Sequence, residues 1–138
     1  SLLIRHKLVQ QQITFAHHLH PDLPLITADA TQLEQAFLNL TLNAVEAMPG
    51  GGRLSVSTKL LTLNSLSKQI VISFSDTGEG MTEAQQKNAF GSVLRSKKRK
   101  GTGLGLAIVQ KVVEAHRGKI LIESLKGKGT TISVTLPL

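Results

Sequence analysis

The chain has 138 residues, 41% of them hydrophobic and 18% charged, which suits one soluble globular domain with a single core. It holds no cysteine, which excludes disulfides and thiolate metal sites, and no apolar run approaches the roughly 20 residues of a membrane helix. A formal net charge of +7 favours an acidic or polyanionic ligand, while only 3% aromatics, with no Trp or Tyr, argue against base-stacking and so against nucleic acid.

The first residue is Ser1, with no initiator Met and no leader pattern, so a piece of a longer parent is expected. Residues 11–19 read as a strand, with Ile13 and Phe15 alternating with polar neighbours. Residues 23–27 read as a short extended piece after Pro21 and Asp22. Residues 29–48 form the clearest helix, with Asp29 as N-cap and Pro49-Gly50-Gly51-Gly52 as terminator. Its Leu33, Phe37, Leu40, Ala44 and Ala47 should face the core. Residues 53–61 and 69–75 read as strands joined by a polar loop over 62–68. A glycine turn follows at 76–80, then weakly helical sequence over 82–90 and a polar, basic, mobile loop over 91–100. Residues 104–116 form a second helix, with Leu106, Val109, Val113 and His116 at helical spacing and Arg117-Gly118 closing it. Residues 119–124 and 130–136 complete the pattern as strands joined by Lys126-Gly127-Lys128-Gly129. This order predicts an α+β fold: a two-layer sandwich of one mixed sheet backed by helices.

Three constellations carry chemistry. On the first long helix, Gln35, Asn39, Asn43 and Glu46 share one face beside the apolar stripe. Such a row of oxygens suits a hard cation like Mg²⁺, which takes few protein ligands plus phosphate oxygens and water. A solvated helix face has the same composition. The second is Asp76-Thr77-Gly78-Glu79-Gly80-Met81, directly after the apolar strand. A carboxylate there can accept from an exocyclic amine, favouring adenine over guanine, and glycines after it allow close approach to a flat ring. A structural turn would read the same, although the acidic alternation of a calcium loop is missing. The third is Gly101-Thr102-Gly103-Leu104-Gly105-Leu106, opening the second helix. Free N–H groups at a helix N-terminus suit phosphates. The spacing fits neither a dinucleotide fingerprint nor a P-loop.

In this order the three motifs resemble the asparagine box and two glycine boxes of the catalytic ATPase domain of two-component sensor histidine kinases. That family belongs to a superfamily shared with gyrase, mismatch-repair and heat-shock chaperone ATPases. The likeness runs over 11–138. It includes Gly127-Lys128-Gly129-Thr130-Thr131 before the last strand and the closing Thr135-Leu136-Pro137. The resemblance implies a Bergerat-type ATP-binding fold with ATP and Mg²⁺ as ligands. It implies Asn43 as the metal ligand, Asn39 on the phosphates and Asp76 on the adenine amine. Gly78, Gly80 and Met81 would shape the base pocket, with Thr130 or Thr131 on its water. Gly101, Thr102, Gly103, Leu104 and Gly105 would hold the phosphates. Residues 82–100 would form a lid, with Lys97 reaching the nucleotide.

Two departures stand out. Glu46 occupies a position where the family often has a basic residue. The lid run Phe90-Gly91-Ser92-Val93-Leu94-Arg95-Ser96-Lys97 keeps the family's first Phe and final Lys but not its Pro, second aromatic or Thr pair. Arg95, Lys97, Lys98, Arg99 and Lys100 could contact phosphates or an acidic partner domain.

The resemblance further implies that the γ-phosphoryl group goes to a histidine on a separate dimerisation and phosphoacceptor domain of the same parent, and from there to a response regulator receiver domain. None of the five histidines (His6, His17, His18, His20, His116) is followed by Asp or Glu, as a phosphoacceptor usually is. Residues 1–10 are therefore expected to be the end of the connection from that missing region, and 11–138 the catalytic domain. The piece alone should be monomeric and unable to phosphorylate itself. Its parent should be a homodimer that can be membrane-anchored, with this domain in the cytoplasm. An anti-sigma-type serine/threonine kinase and a nucleotide-independent interaction module are the rival readings. The first is disfavoured because Asn39 stands where that branch carries a Glu base.

Overall fold

A computed structural model describes residues 2–21, 28–87 and 102–138. The elements in chain order are α1 (Leu2–Gln10), β1 (Ile13–His18), α2 (Ala30–Glu46), β2 (Gly52–Asn64), β3 (Ser67–Asp76), α3 (Glu83–Lys87), α4 (Thr102–Ala115), β4 (Lys119–Leu125) and β5 (Gly129–Pro137). The five strands form one sheet in the order β1-β2-β3-β5-β4. β1 runs parallel to β2 and every other pair is antiparallel, so the sheet is mixed as expected.

Alternation along the strands decides which face is covered. Val56 on β2 pairs with Phe74 on β3, Phe74 and Ile72 pair with Ile132 and Val134 on β5, and this face takes the helices. The opposite face carries hydroxyls that bond across strands: Ser73 Oγ to Ser133 Oγ at 3.0 Å and Ser75 Oγ to Thr131 Oγ1 at 2.8 Å. Ala36 and Leu40 of α2 and Leu106, Val109 and Val113 of α4 lie on the covered face, and Phe37 stacks at 5.7 Å on Phe74. A smaller cluster joins Leu8 of α1 and Ile13 of β1 to Ala44, Val45 and Met48 at the end of α2.

The helix ends follow local chemistry. Asp29 caps α2 by accepting from Gln32 N–H at 3.0 Å. At the end of α4, Arg117 N–H reaches Glu114 O at 2.9 Å and Gly118 N–H reaches Val113 O at 2.9 Å, a Schellman pair. The left-handed residue is Arg117 (φ 61), not the glycine beside it. His116 bonds on both sides. Its Nδ1 is 2.8 Å from Val112 O, and its Nε2 accepts from Asp29 N–H at 3.0 Å, tying the start of α2 to the end of α4.

Three boundaries differ from expectation. The polar loop over 62–68 is mostly strand: β2 and β3 run on as a hairpin to a tight turn at Ser65 and Leu66, whose N–H is held by Asn64 Oδ1 at 2.8 Å. Cross-strand pairing carries this polar ribbon although it covers no core. Residues 2–10, for which the sequence pattern predicts no element, form a helix. α4 begins at Thr102, so Thr102, Gly103, Leu104 and Gly105 of the glycine motif lie on its first turn. The extended piece over 23–27 and the basic stretch over 91–100 lie outside the described residues. Among the described residues no helix is long and apolar enough to cross a membrane.

Candidate functional site

The site is built where three strands end beneath two helices. Asp76 closes β3 on the covered side of the sheet, in the apolar row of Ile70, Ile72 and Phe74. In register beside it stands Thr130, which heads the row Ile132, Val134 and Leu136 on β5. Next comes Ser124, paired with Thr130, at the end of the row Ile120 and Ile122 on β4. Three polar side chains thus replace apolar ones at one end of one sheet face. Thr131 points to the other face, bonded to Ser75, so the register separates the two threonines that sequence could not. An open concavity of about 370 Å³ wraps this end of the strands, lined by Asp76, Ser124 and Thr130 and, from the other face, by Ser75, Glu123 and Thr131.

Burial pushes the Asp76 carboxyl above its ordinary value, opposed by backbone N–H donation from Gly78 and Thr130. The Gly78 bond is 2.9 Å, to Oδ1. A desolvated carboxylate of this kind gains from any further donor.

The turn after Asp76 is clamped between two parts of the protein. Glu79 N–H donates to Ala47 O at 3.2 Å at the end of α2, and Glu79 O accepts from Gly127 N–H at 2.7 Å in the β4–β5 turn. A side chain at Gly78 would collide with the Ala47 carbonyl, and one at Gly80 (φ +70) with the Leu125 carbonyl. The glycines are therefore demanded by approach of backbone to backbone, whereas the sequence suggested approach to a ring. Met81 N–H donates to Ser124 Oγ at 2.8 Å, and Ser124 Oγ lies 2.7 Å from Thr130 Oγ1 and 3.0 Å from Gly129 O. Gln86 Nε2 reaches Met81 O and Ser124 O, each at 3.1 Å. Ser124 and Gln86 were not among the expected site residues. The legible signal for Ser124 is a hydroxyl at the position where Ile120 and Ile122 predict an apolar side chain.

The other half of the site comes from the helices. α2 and α4 pack against each other, and the Asp29–His116 contact joins the start of one to the end of the other. The first-turn N–H groups of α4 have no partner within the helix. Gln35 Nε2 donates to Asn39 Oδ1 at 3.4 Å. Asn39 Nδ2 is buried and has no hydrogen-bond partner among the described residues. A buried donor without a partner fits an anionic oxygen. A hard cation such as Mg²⁺ can take few protein ligands and fill its shell with its ligand's own oxygens and water, and amide carbonyls suit it. The donor set of Asn39 and Asn43 fits that requirement. Thr102, Gly103, Leu104 and Gly105 lie on the first turn of α4, while Gly101 and Lys97 lie outside the described residues.

The profile of the family described as "Histidine kinase-, DNA gyrase B-, and HSP90-like ATPase" matches residues 28–138. Sporulation kinase E of Bacillus subtilis (strain 168) is 42% identical over 117 residues, which cover 85% of this chain and 15% of that protein. The adaptive-response sensory kinase SasA of Synechococcus sp. (strain JA-3-3Ab) is 35% identical over 131 residues, covering 93% of this chain and 34% of that protein. The chain therefore spans about a seventh and a third of these two relatives. Among solved structures, the catalytic domain of the histidine kinase ThkA superposes with a TM-score of 0.80 at 27% identity, covering 99% of this chain and 86% of that one.

Proposed function

The chain belongs to the histidine kinase-, DNA gyrase B- and HSP90-like ATPase family as the ATP-binding catalytic domain of a sensor histidine kinase, and on that premise we propose that it binds Mg²⁺-ATP and passes the γ-phosphoryl group to a histidine on a separate domain of its parent. Two unlike polar features on one domain carry this reading. A desolvated carboxylate flanked by Thr130 lies at the sheet end. On α2 the Asn39 amide nitrogen is buried with no hydrogen-bond partner among the described residues.

The adenine amine donates to Asp76, with Thr130 on the same side, while Gly78, Gly80 and Met81 form the wall. The phosphates would lie against the first-turn N–H groups of α4 from Thr102 to Gly105, with Gly101 and Lys97 as further candidate contacts. The Asn39 amide would donate to a phosphate oxygen, and the Asn43 carbonyl would hold the metal. Mg²⁺, when bound, neutralises charge on the phosphates. In the transfer an imidazole nitrogen attacks γ-phosphorus in line, the bond to the bridging oxygen breaks and ADP leaves. No carboxylate stands at Asn39 to activate water, so the phosphoryl group is kept for the histidine. The receiving partner is then a response regulator receiver domain.

Calorimetric titration with ATP and GTP, with and without Mg²⁺, tests this. Adenine-selective, Mg²⁺-sensitive binding is expected. Equal affinity for both nucleotides would remove Asp76 from the base, and no binding at all would leave an interaction module.

A further inference from the structure

The last turn of α2 serves as a shelf with a contact on each side. On one side the Gln11 amide Nε2 donates to Val45 O at 3.1 Å and Met48 O at 3.3 Å, from the corner between α1 and β1. Each carbonyl also accepts one backbone N–H, Val45 O from Met48 and Met48 O from Gly51, so the amide takes a second position on each, and a donor there complements the negative end of the dipole. On the other side Ala47 O accepts from Glu79 N–H, and Gly78 sits so close to the Ala47 carbonyl that no side chain fits. Gly78 in turn donates to Asp76. The shelf also carries Leu8 of α1, packed with Ala44, Val45 and Met48.

We propose that Gln11 is a positioning residue for the nucleotide site: its two bonds hold the end of α2 where Ala47 can seat the Gly78–Glu79 turn, and thereby set the place of Asp76. This rests on the reading that the base lies against Asp76, but the mechanical link itself does not need a nucleotide. Gln11 touches neither base nor phosphate. Its side chain bonds to the site's support through the carbonyls of the shelf.

The test uses Gln11→Met, which keeps length and loses the donor, Gln11→Lys, which restores a donor and adds a favourable charge at a helix C-terminus, and Leu8→Ala as a packing control. In nucleotide-free protein, Gln11→Met should move the amide resonances of Gly78 and Glu79 in nitrogen-15 NMR spectra, and Gln11→Lys should return them. In titrations Gln11→Met should weaken ATP and ADP by the same factor, about fivefold for a lost neutral hydrogen bond, with Gln11→Lys close to wild type. Leu8→Ala should lower the melting temperature, since it thins the packing of the same cluster without removing a hydrogen bond. Unmoved Gly78 and Glu79 resonances in Gln11→Met, or a loss that Gln11→Lys does not rescue, overturns the proposal. If wild type itself binds no ATP, the functional reading fails, and the spectra still decide the link.

Discussion

Replacing Asp76 with Asn should move two quantities in opposite directions. The carboxyl accepts from Gly78 and Thr130 backbone N–H groups, yet burial outweighs them and raises its pKa above the ordinary 3.8. With adenine in place a third donor arrives. A hydrogen bond to a charged group is worth about 1.5–3 kcal/mol, so Asp76→Asn should weaken ATP by about 10- to 150-fold. Stability follows the other sign. A carboxyl with a raised folded-state pKa binds its proton more tightly when folded. The folded protein therefore loses stability as pH rises from 3.8 through the raised value. Asn cannot ionise. The variant should thus gain on wild type across that window, and the difference between them should be constant below it. Titration calorimetry reads the first effect. Urea unfolding at a series of pH values reads the second. Unchanged ATP affinity would take Asp76 out of the base contact, and a stability difference that is flat with pH would mean the carboxyl is not desolvated.

Gly80→Ala forces a side chain into a left-handed position (φ +70) and into the Leu125 carbonyl. It should cost at least about 2 kcal/mol in denaturant unfolding, and a cost near zero would show that the turn can step away from β4. Arg117→Gly relieves a left-handed non-glycine residue at a helix end (φ 61) and should raise stability by up to about 1 kcal/mol. A loss instead would show that the Arg117 side chain is held by contacts worth more than the strain. Steady-state ATP hydrolysis by the chain should stay far below about 1 per second, and labelled ATP should leave no acid-labile phosphate on it. Turnover at ordinary enzyme rates would mean that some group other than residue 39 activates water.

Much of the architecture is written locally. Asp29 caps α2 because its carboxylate reaches back to Gln32, a contact within three residues. The alternation of Ile70, Ile72 and Phe74 marks β3 whatever it pairs with, and the order of the three motifs identifies the family. What the residues alone could not determine are the relations that link distant parts of the chain. Whether 62–68 was loop or hairpin depended on cross-strand bonds, because polar residues cover no core in either case. Which of Thr130 and Thr131 shares a sheet face with Asp76 depended on the register, since a one-residue step moves a side chain to the other face. The glycines of the turn could be seen, but their neighbours could not: the Ala47 and Leu125 carbonyls lie in separate elements. Ser124 and Gln11 belong to no motif, and each acquires its place only when the folded chain brings backbone groups from other elements within about 3 Å, the reach of a hydrogen bond. Local propensity and pattern thus set the elements and motifs. Pairing register and backbone satisfaction, which act between segments far apart in sequence, set the site.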